Sequence, residues 1–560
     1  MSTRLTRDPS GWLTHTFDWQ SIESRSCDVK MRNTTAATCL WEKAKERSDE
    51  VAIYFDDGSQ LTYGQLAREV HVVAGALRGL GLEVGDRVSA QLPNWREFVS
   101  INLACCALGL VFNPIIPIYR GAELGFILRD AGTKVLFIPE EYRGLNYVET
   151  IRALRGNLPA LEHVIVVRPA SGVAALKQLG ATGLETFLSA RTDKSSIYPE
   201  VSPDHVKLLM YTSGTTGQPK GVLHTHNTLN RVVDNILALR QLGPADVMFM
   251  ASPVTHVTGY SACEMPLTTE VKAAIMERWD KARAVDFIER TRSTFSVGAT
   301  PFLHELVQEC SQRANRLPTM KHFACGGAAV PPELIRQAHR VFEHCRCFRV
   351  YGSTEVPLVS QGVTERSLEE LAATTDGRIF NYEVRVVSSE GAVLGHGQEG
   401  ELLVRGPAMM VGYTDAESTR ASLTDDGFFL TGDLGYVTEA GDVVITGRKK
   451  DLIIRGGENI SAKEIEDVLH THELIQEAAV VSMPHPRLGE GIAAYIKLSD
   501  PTRPVSLGDV AAHIESNGLA RQKTPERIEF IEEFPRTASG KIRKDLLRQD
   551  IRTKLAGTGS

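Results

Sequence analysis

From about residue 36 onward the chain alternates between short apolar runs and longer stretches in which apolar residues recur every three or four positions. Leu66, Val70, Val73 and Leu77 share one helical face; Thr62 stands where its side chain would cap that helix, and Gly79 and Gly81 would end it. Residues 87–90 read as a strand, and a second helix follows through Leu103 and Leu108. Residues 135–138 and 164–167 are runs of the fully buried strand type. The apolar stretch from Phe98 to Ile118 contains Asn102, Asn113, Pro114 and Pro117, so it reads as a buried helix and a strand rather than a membrane span. This alternation predicts an α/β architecture with mixed, largely parallel sheets flanked by helices.

Two breaks divide the pattern. Residues 1–35 show weak periodicity and are expected to lie on the surface as an extension. A second change comes at Arg448-Lys449-Lys450-Asp451. Beyond it stand a helix with Ile465, Val468 and Leu469 on one face and strands near residues 479–482, 493–496 and 528–531. A chain of 560 residues exceeds what one core supports. The expected organisation is therefore an extension (1–35), a large domain (36–449) and a small α+β domain (450–560), with a hinge at Lys450.

Composition narrows the function classes. The net charge of −7, without long charge runs, argues against a nucleic-acid partner, whose phosphates demand a basic surface. Nine cysteines include adjacent Cys105 and Cys106, and Cys345 and Cys347 two apart; neither spacing suits a tetrahedral metal site. They are expected to be buried free thiols in a reducing compartment. The N-terminus lacks the apolar core of a secretory signal, and Thr558-Gly559-Ser560 is not a peroxisomal address, so a cytoplasmic protein is expected. Nothing in the pattern opposes a homo-oligomer.

The chemistry begins after a strand at residues 208–211, which runs into Thr212-Ser213-Gly214-Thr215-Thr216-Gly217-Gln218-Pro219-Lys220-Gly221. Small hydroxylated residues and glycines let backbone N–H groups turn around phosphate oxygens, and Lys220 supplies a cation. A Walker A loop fails on spacing: Pro219 stands five residues after Gly214, and Gly221 rather than Ser or Thr follows Lys220. The loop resembles the signature of the adenylate-forming superfamily, which includes acyl-CoA synthetases, peptide-synthetase adenylation domains and beetle luciferases. The resemblance runs from about Ala36 to Leu547. Within the superfamily it is most similar to bacterial short- and medium-chain fatty acid and cyclohexanecarboxylate CoA ligases, through Gly298-Ala299-Thr300-Pro301-Phe302 and Arg455-Gly456-Gly457-Glu458-Asn459-Ile460-Ser461.

The resemblance implies roles for further residues. Gly326, Gly327 and Ala328, in Cys325-Gly326-Gly327-Ala328-Ala329, would let adenine approach the backbone. In Tyr351-Gly352-Ser353-Thr354-Glu355, Tyr351 would stack near adenine, Thr354 would bind phosphate and Glu355 would hold Mg²⁺, which needs only one or two protein carboxylates. Asp433, read as part of a turn at Thr431-Gly432-Asp433-Leu434-Gly435, and Arg448 are assigned to the ribose. Without the resemblance, Glu355, Asp433 and Arg448 would read as ordinary surface or turn residues.

Joining an acid to AMP requires positioning and neutralisation of charge. Lys541, in Ser539-Gly540-Lys541, occupies the superfamily's catalytic lysine position, next to Arg543 and Lys544. Thioester formation needs a channel for CoA, for which Gly456-Gly457 offers a wall without side chains once the small domain has turned about Lys450. His256, Thr258, Gly298, Gly326, Gly352 and Val356 would shape the acid pocket. Relatives restricted to acetate carry a bulky aromatic at the Gly352 position, so glycine there suggests a deeper pocket, suited to a medium-chain or alicyclic acid. The expected enzyme is an ATP-dependent carboxylic acid–CoA ligase using Mg²⁺, with ATP and CoA as co-substrates. A luciferase-like oxygenase, a peptide-synthetase module and a non-catalytic nucleotide binder are the alternatives; the second would need a carrier domain, and only 19 residues follow Lys541.

Overall fold

The computed structural model describes residues 4–16, 32–190, 197–212, 219–328, 330–537 and 540–557. Two large sheets organise the chain up to Val350, and one later strand, Gly412–Tyr413, joins the first of them. One has eight strands, in the order Thr182–Gly183, His163–Val167, Val135–Pro139, Arg87–Ala90, Val111–Pro114, Val206–Thr212, Lys220–Thr225 and Gly412–Tyr413. It is parallel up to Val206–Thr212 and antiparallel beyond. The other has seven, in the order Arg346–Val350, His322–Gly326, Phe295–Gly298, Val247–Met250, Lys272–Ile275, Val51–Phe55 and Gln60–Thr62, parallel except for its last pair.

Helices between the sheets share one continuous core with both of them. Helix Tyr63–Arg78 starts at a capping box in which the Thr62 hydroxyl accepts from the Gln65 N–H and the Gln65 side chain reaches back to the Thr62 N–H. Its Leu66, Val70, Val73 and Leu77 are all buried. The apolar stretch at 98–118 resolves into helix Arg96–Leu108, strand Val111–Pro114 and the loop after it. No helix among the described residues is long and apolar enough to cross a membrane. Eight described cysteines are free thiols; Cys39 is half-buried and the rest are buried.

Two features depart from expectation. Residues 4–16 do not lie loosely on the surface: Arg4–Arg7 and Leu13–Thr16 form a hairpin, Thr14 and His15 are buried, and the His15 N–H donates to the Val411 carbonyl at 2.9 Å. Strands of four residues are too short to show periodicity, and the edge they meet lies some 400 residues away. A four-stranded antiparallel sheet was also not foreseen. It is built from Glu383–Val387, Gly400–Arg405, Phe429–Val437 and Val443–Arg448, and it ends where the chain passes through the 3₁₀ turn Lys449–Asp451.

Beyond that turn a five-stranded sheet carries helices Ala462–Leu469 and Leu507–Ser516 on one face and Lys544–Gly557 on the other. The two apolar clusters covering its faces draw only on residues from Ile453 onward.

Candidate active site

Three neighbouring parallel strands end together. Their register sets Gly298 beside Cys325 and Gly326 beside Val350, so Gly298, Gly326 and Tyr351 emerge along one rim. Carboxyl ends of parallel strands are where open α/β sheets bind ligands. Close packing dictates the glycine at Gly326, where a Cβ would lie 2.6 Å from the Val350 carbonyl oxygen. Gly327 takes a φ of +80°, which turns the chain toward helix Pro332–Val341.

From the same rim, Tyr351 donates its hydroxyl to Asp433 Oδ2 at 2.7 Å, and Arg448 Nε reaches Asp433 Oδ1 at 2.5 Å. Asp433 is buried and stands opposite Arg448 across two antiparallel strands. It does not lie in a turn at residues 431–435, as its neighbours suggested, but inside the continuous strand Phe429–Val437. Gly432, with φ +68°, distorts that strand, and pairing with Gly400–Arg405 slips between Glu401 and Leu403. Thr431, Gly432 and Gly435 therefore look like turn residues while forming a strand irregularity. Burial opposes the Arg448 charge, Asp433 outweighs it, and the net shift of the Arg448 pKa is upward. Burial and the neighbouring Asp433 charge push the Tyr351 phenol up.

The Thr354–Glu355 loop is held through its backbone and one carboxylate oxygen. His224 Nε2 donates to the Thr354 carbonyl at 2.7 Å, Met410 N–H donates to the Glu355 carbonyl at 2.8 Å, and the Tyr413 hydroxyl donates to Glu355 Oε1 at 3.0 Å. Burial lowers the His224 pKa to about 4, so this imidazole is neutral near pH 7. Among the described residues no hydrogen bond reaches Glu355 Oε2. None of His224, Met410 or Tyr413 was singled out from sequence; each earns its place through contacts between distant segments.

Lys541, from the C-terminal unit, points to this site. Its pKa is lowered, first by burial and then by Arg448, while Asp433 and Glu355 attract its charge. His256 feels it too: burial, then the Lys541 charge, lowers the His256 pKa to about 4. The Lys541 loop is braced by Thr537, whose Oγ1 accepts the Lys541 N–H at 3.1 Å, and by Arg536, which donates to the Gly540 carbonyl and pairs with Glu477. Thr354, Glu355, Asp433, Arg448, Lys541 and His256 thus converge.

Other expected residues lie as follows. Thr212 and Lys220 stand opposite each other in antiparallel strands, so Lys220 begins a strand, whereas the Lys of a Walker A motif begins a helix. Ser213, Gly214, Thr215, Thr216 and Gly217 lie outside the described residues. His256 caps helix Val257–Thr268, its Nδ1 accepting from the Thr258 N–H at 3.4 Å. Val356 is fully buried in the main core, and its carbonyl accepts from Ser353. At Gly298 a Cβ would meet the rings of Phe302 and Phe323 at 3.2 and 3.3 Å.

Gly352 requires correction as an indicator of pocket depth. A Cβ there would fall 2.4 Å from the Leu358 nitrogen, so backbone packing in this chain favours glycine whatever the depth of the pocket. Gly456 and Gly457, at φ +62° and +91°, form the exposed two-residue turn of hairpin Ile453–Ile460.

The description "AMP-binding enzyme" fits residues 40–414, and that of its C-terminal domain fits residues 464–541. The chain belongs to the AMP-binding enzyme family. This adenylate-forming protein is 34% identical over 558 residues to a medium-chain fatty-acid–CoA ligase of Escherichia coli (strain K12), covering 98% of the chain and 96% of the relative. It is 30% identical to a mitochondrial medium-chain acyl-CoA ligase of Homo sapiens, covering 99% of the chain and 92% of the relative. Among solved structures it is similar to o-succinylbenzoate CoA synthetase of Bacillus subtilis in complex with its acyl-adenylate intermediate. There the identity is 25% and the TM-score 0.79, covering 92% of this chain and 99% of the other.

Proposed function

We propose that the protein is an AMP-forming carboxylic acid–CoA ligase acting on a medium-chain acid, with alicyclic acids of similar bulk as further substrates. Support for the acid comes from the two medium-chain relatives. Support for the reaction comes from one observation above all: Lys541 of the C-terminal unit enters a cleft already holding Glu355 and the Asp433–Arg448 pair.

In the first half-reaction a carboxylate oxygen of the acid attacks the α-phosphorus of ATP, the bond to the β-phosphate oxygen breaks, and pyrophosphate leaves. Asp433 accepts from the ribose hydroxyls, while Arg448 and Tyr351 hold its carboxylate in place. Lys541 lies where negative charge gathers between acyl and α-phosphate oxygens, and Lys220 faces the leaving phosphates. Glu355 fits Mg²⁺: one oxygen is fixed by Tyr413 and the other carries no hydrogen bond among the described residues, which suits an ion that takes one carboxylate and fills its shell with phosphate oxygens and water. When bound, Mg²⁺ would neutralise phosphate charge. In the second half-reaction the CoA thiol, losing its proton, attacks the acyl carbon and AMP leaves. Rotation about Lys450 withdraws Lys541 and brings the Gly456-Gly457 turn to the pantetheine path.

The test is a panel of acids incubated with ATP, Mg²⁺ and CoA, with AMP and thioester scored by mass spectrometry. Lys541→Ala should abolish acid-dependent ATP–pyrophosphate exchange while sparing thioester formation from supplied acyl-adenylate. Normal exchange in that variant would remove Lys541 from the mechanism.

A further inference from the structure

Glu355 is gripped by a segment 55 to 58 residues further along the chain. Met410 holds its carbonyl and Tyr413 its Oε1. Between these two contacts the chain runs as an edge strand: Val411 N–H donates to the Leu223 carbonyl at 2.9 Å, and Gly412 and Tyr413 pair with Leu223 and Val222. The Tyr413 ring lies under Lys220, whose Nζ is 5.2 Å from the ring centroid. One side chain therefore touches both the carboxylate and the cation of the phosphate loop.

The opposite side of this segment is covered by the N-terminal hairpin. His15 N–H donates to the Val411 carbonyl, and the His15 imidazole, 1% exposed, lies against the backbone of Met410. Leu13 packs so near Gly412 that a Cβ on that glycine would stand 3.3 Å from the Leu13 carbonyl oxygen. A carboxylate with one oxygen pinned by a phenol presents its other oxygen in a fixed direction, as partners behind a metal ligand generally do.

We propose that residues 410–413, clamped by the N-terminal hairpin, form the positioning element for Glu355, with Tyr413 orienting its carboxylate. This rests on the reading of Glu355 as the Mg²⁺ carboxylate. Tyr413 and His15 are positioning residues; they need not touch substrate. If they serve stability alone, their variants lower thermal midpoints and leave metal dependence as it was.

Tyr413→Phe keeps the ring beneath Lys220 and removes only the donor. Two readouts are taken: Mn²⁺ bound in the enzyme–ATP complex, followed by its EPR spectrum, and the Mg²⁺ concentration giving half-maximal ATP–pyrophosphate exchange. Mn²⁺ affinity should fall about 10-fold in Tyr413→Phe, the Mg²⁺ midpoint should rise in step, and thioester formation from supplied acyl-adenylate should be unchanged. His15→Leu should shift the metal midpoint the same way by a smaller factor. Unaltered metal affinity in Tyr413→Phe overturns the proposal, and a silent His15→Leu removes the hairpin from it. Glu355→Gln separates the two readings. If that variant binds Mn²⁺ normally, the assignment of Glu355 is what fails. If it loses Mn²⁺ while Tyr413→Phe does not, only the positioning role fails.

Discussion

Gly352 shows how one residue can carry two incompatible explanations. If its missing side chain opened room for substrate, adding atoms would shorten the range of acids accepted. The structure supplies a different reason: Leu358, itself at φ +50°, folds back so that its nitrogen would lie 2.4 Å from a Cβ on residue 352. Backbone cannot yield as a flexible side chain can. Gly352→Ala should therefore destabilise the protein by about 1–3 kcal/mol, as overpacking does. It should also slow adenylation of every acid by a similar factor. Denaturant titration and a chain-length profile of pyrophosphate exchange check this; a profile shifted toward short acids at unchanged stability would restore the pocket reading. At this scale the sequence was legible where the chemistry is local. Lys541 sits beside Ser539 and Gly540, and Glu355 ends a recognisable pentapeptide, so both could be picked out by resemblance. Tyr413, His224 and His15 could not, because each matters only through a partner dozens to hundreds of residues away, and hydrogen bonds of that kind leave no spacing to read.

Among the elements, helix Val257–Thr268 has most to position, since His256 caps it and Thr258 lies in its first turn. Its setting is fixed by an ion pair in the interior. Lys207, on strand Val206–Thr212, pairs with Glu264 on the helix, and both side chains are almost fully buried. The single Tyr260 O–H faces two acceptors, Asn102 Oδ1 at 2.6 Å and Glu264 Oε1 at 2.9 Å, and Asn102 Nδ2 donates to Glu264 at 3.3 Å. Asn102, which spoke against a membrane span in the sequence, thus serves a network crossing from one sheet to the helix layer. Burial opposes the Lys207 charge, Cys106 and Glu264 restore it, and its pKa shifts upward. Glu264→Ala leaves that ammonium buried without its partner, at a cost of about 3–5 kcal/mol. Thermal and denaturant midpoints should fall accordingly, whereas Glu264→Ala together with Lys207→Met should recover much of the loss; equal destabilisation by single and double variants would show that the charge is not the cause. Helices such as Tyr63–Arg78 were readable because capping box and apolar face lie within 16 residues or so of each other. The antiparallel sheet around Asp433 was not, because its irregular strand imitates turns and its pairing is set by strands far apart in the sequence.

For the whole molecule the question is how one cleft serves two reactions with different needs. Lys541 faces Asp433, Glu355 and Arg448 here, and Gly457 stands in open space with nothing within 4 Å of where its Cβ would be. This arrangement suits attack on phosphorus; the left-handed φ of Gly456 and Gly457 accounts for glycine in that turn wherever the C-terminal unit sits, so the rotation proposed above has to be tested at the connection between the units. The covalent connection is short: the 3₁₀ turn Lys449–Asp451 leads from strand Val443–Arg448 to the sheet beyond it, and the Ser461 hydroxyl donates across to the Thr446 carbonyl at 2.6 Å. Charged contacts hold this turn from both sides, Lys449 with Glu401 at 2.9 Å and Asp451 with Arg548 at 2.6 Å, so Lys450 is the residue between two anchored neighbours. Proline at Lys450 would fix φ near −65°, close to the 3₁₀ value already present, and would resist other backbone angles. Lys450→Pro should keep acid-dependent ATP–pyrophosphate exchange within a few-fold of normal. It should slow thioester formation from supplied acyl-adenylate on the order of 100-fold, the penalty expected when a reacting group is misplaced. Rapid-quench measurement of each half-reaction separates the two. If both halves fell together, the turn would be needed for the fold of the cleft and not for its rearrangement; if neither changed, CoA would reach the acyl group without any rotation about Lys450.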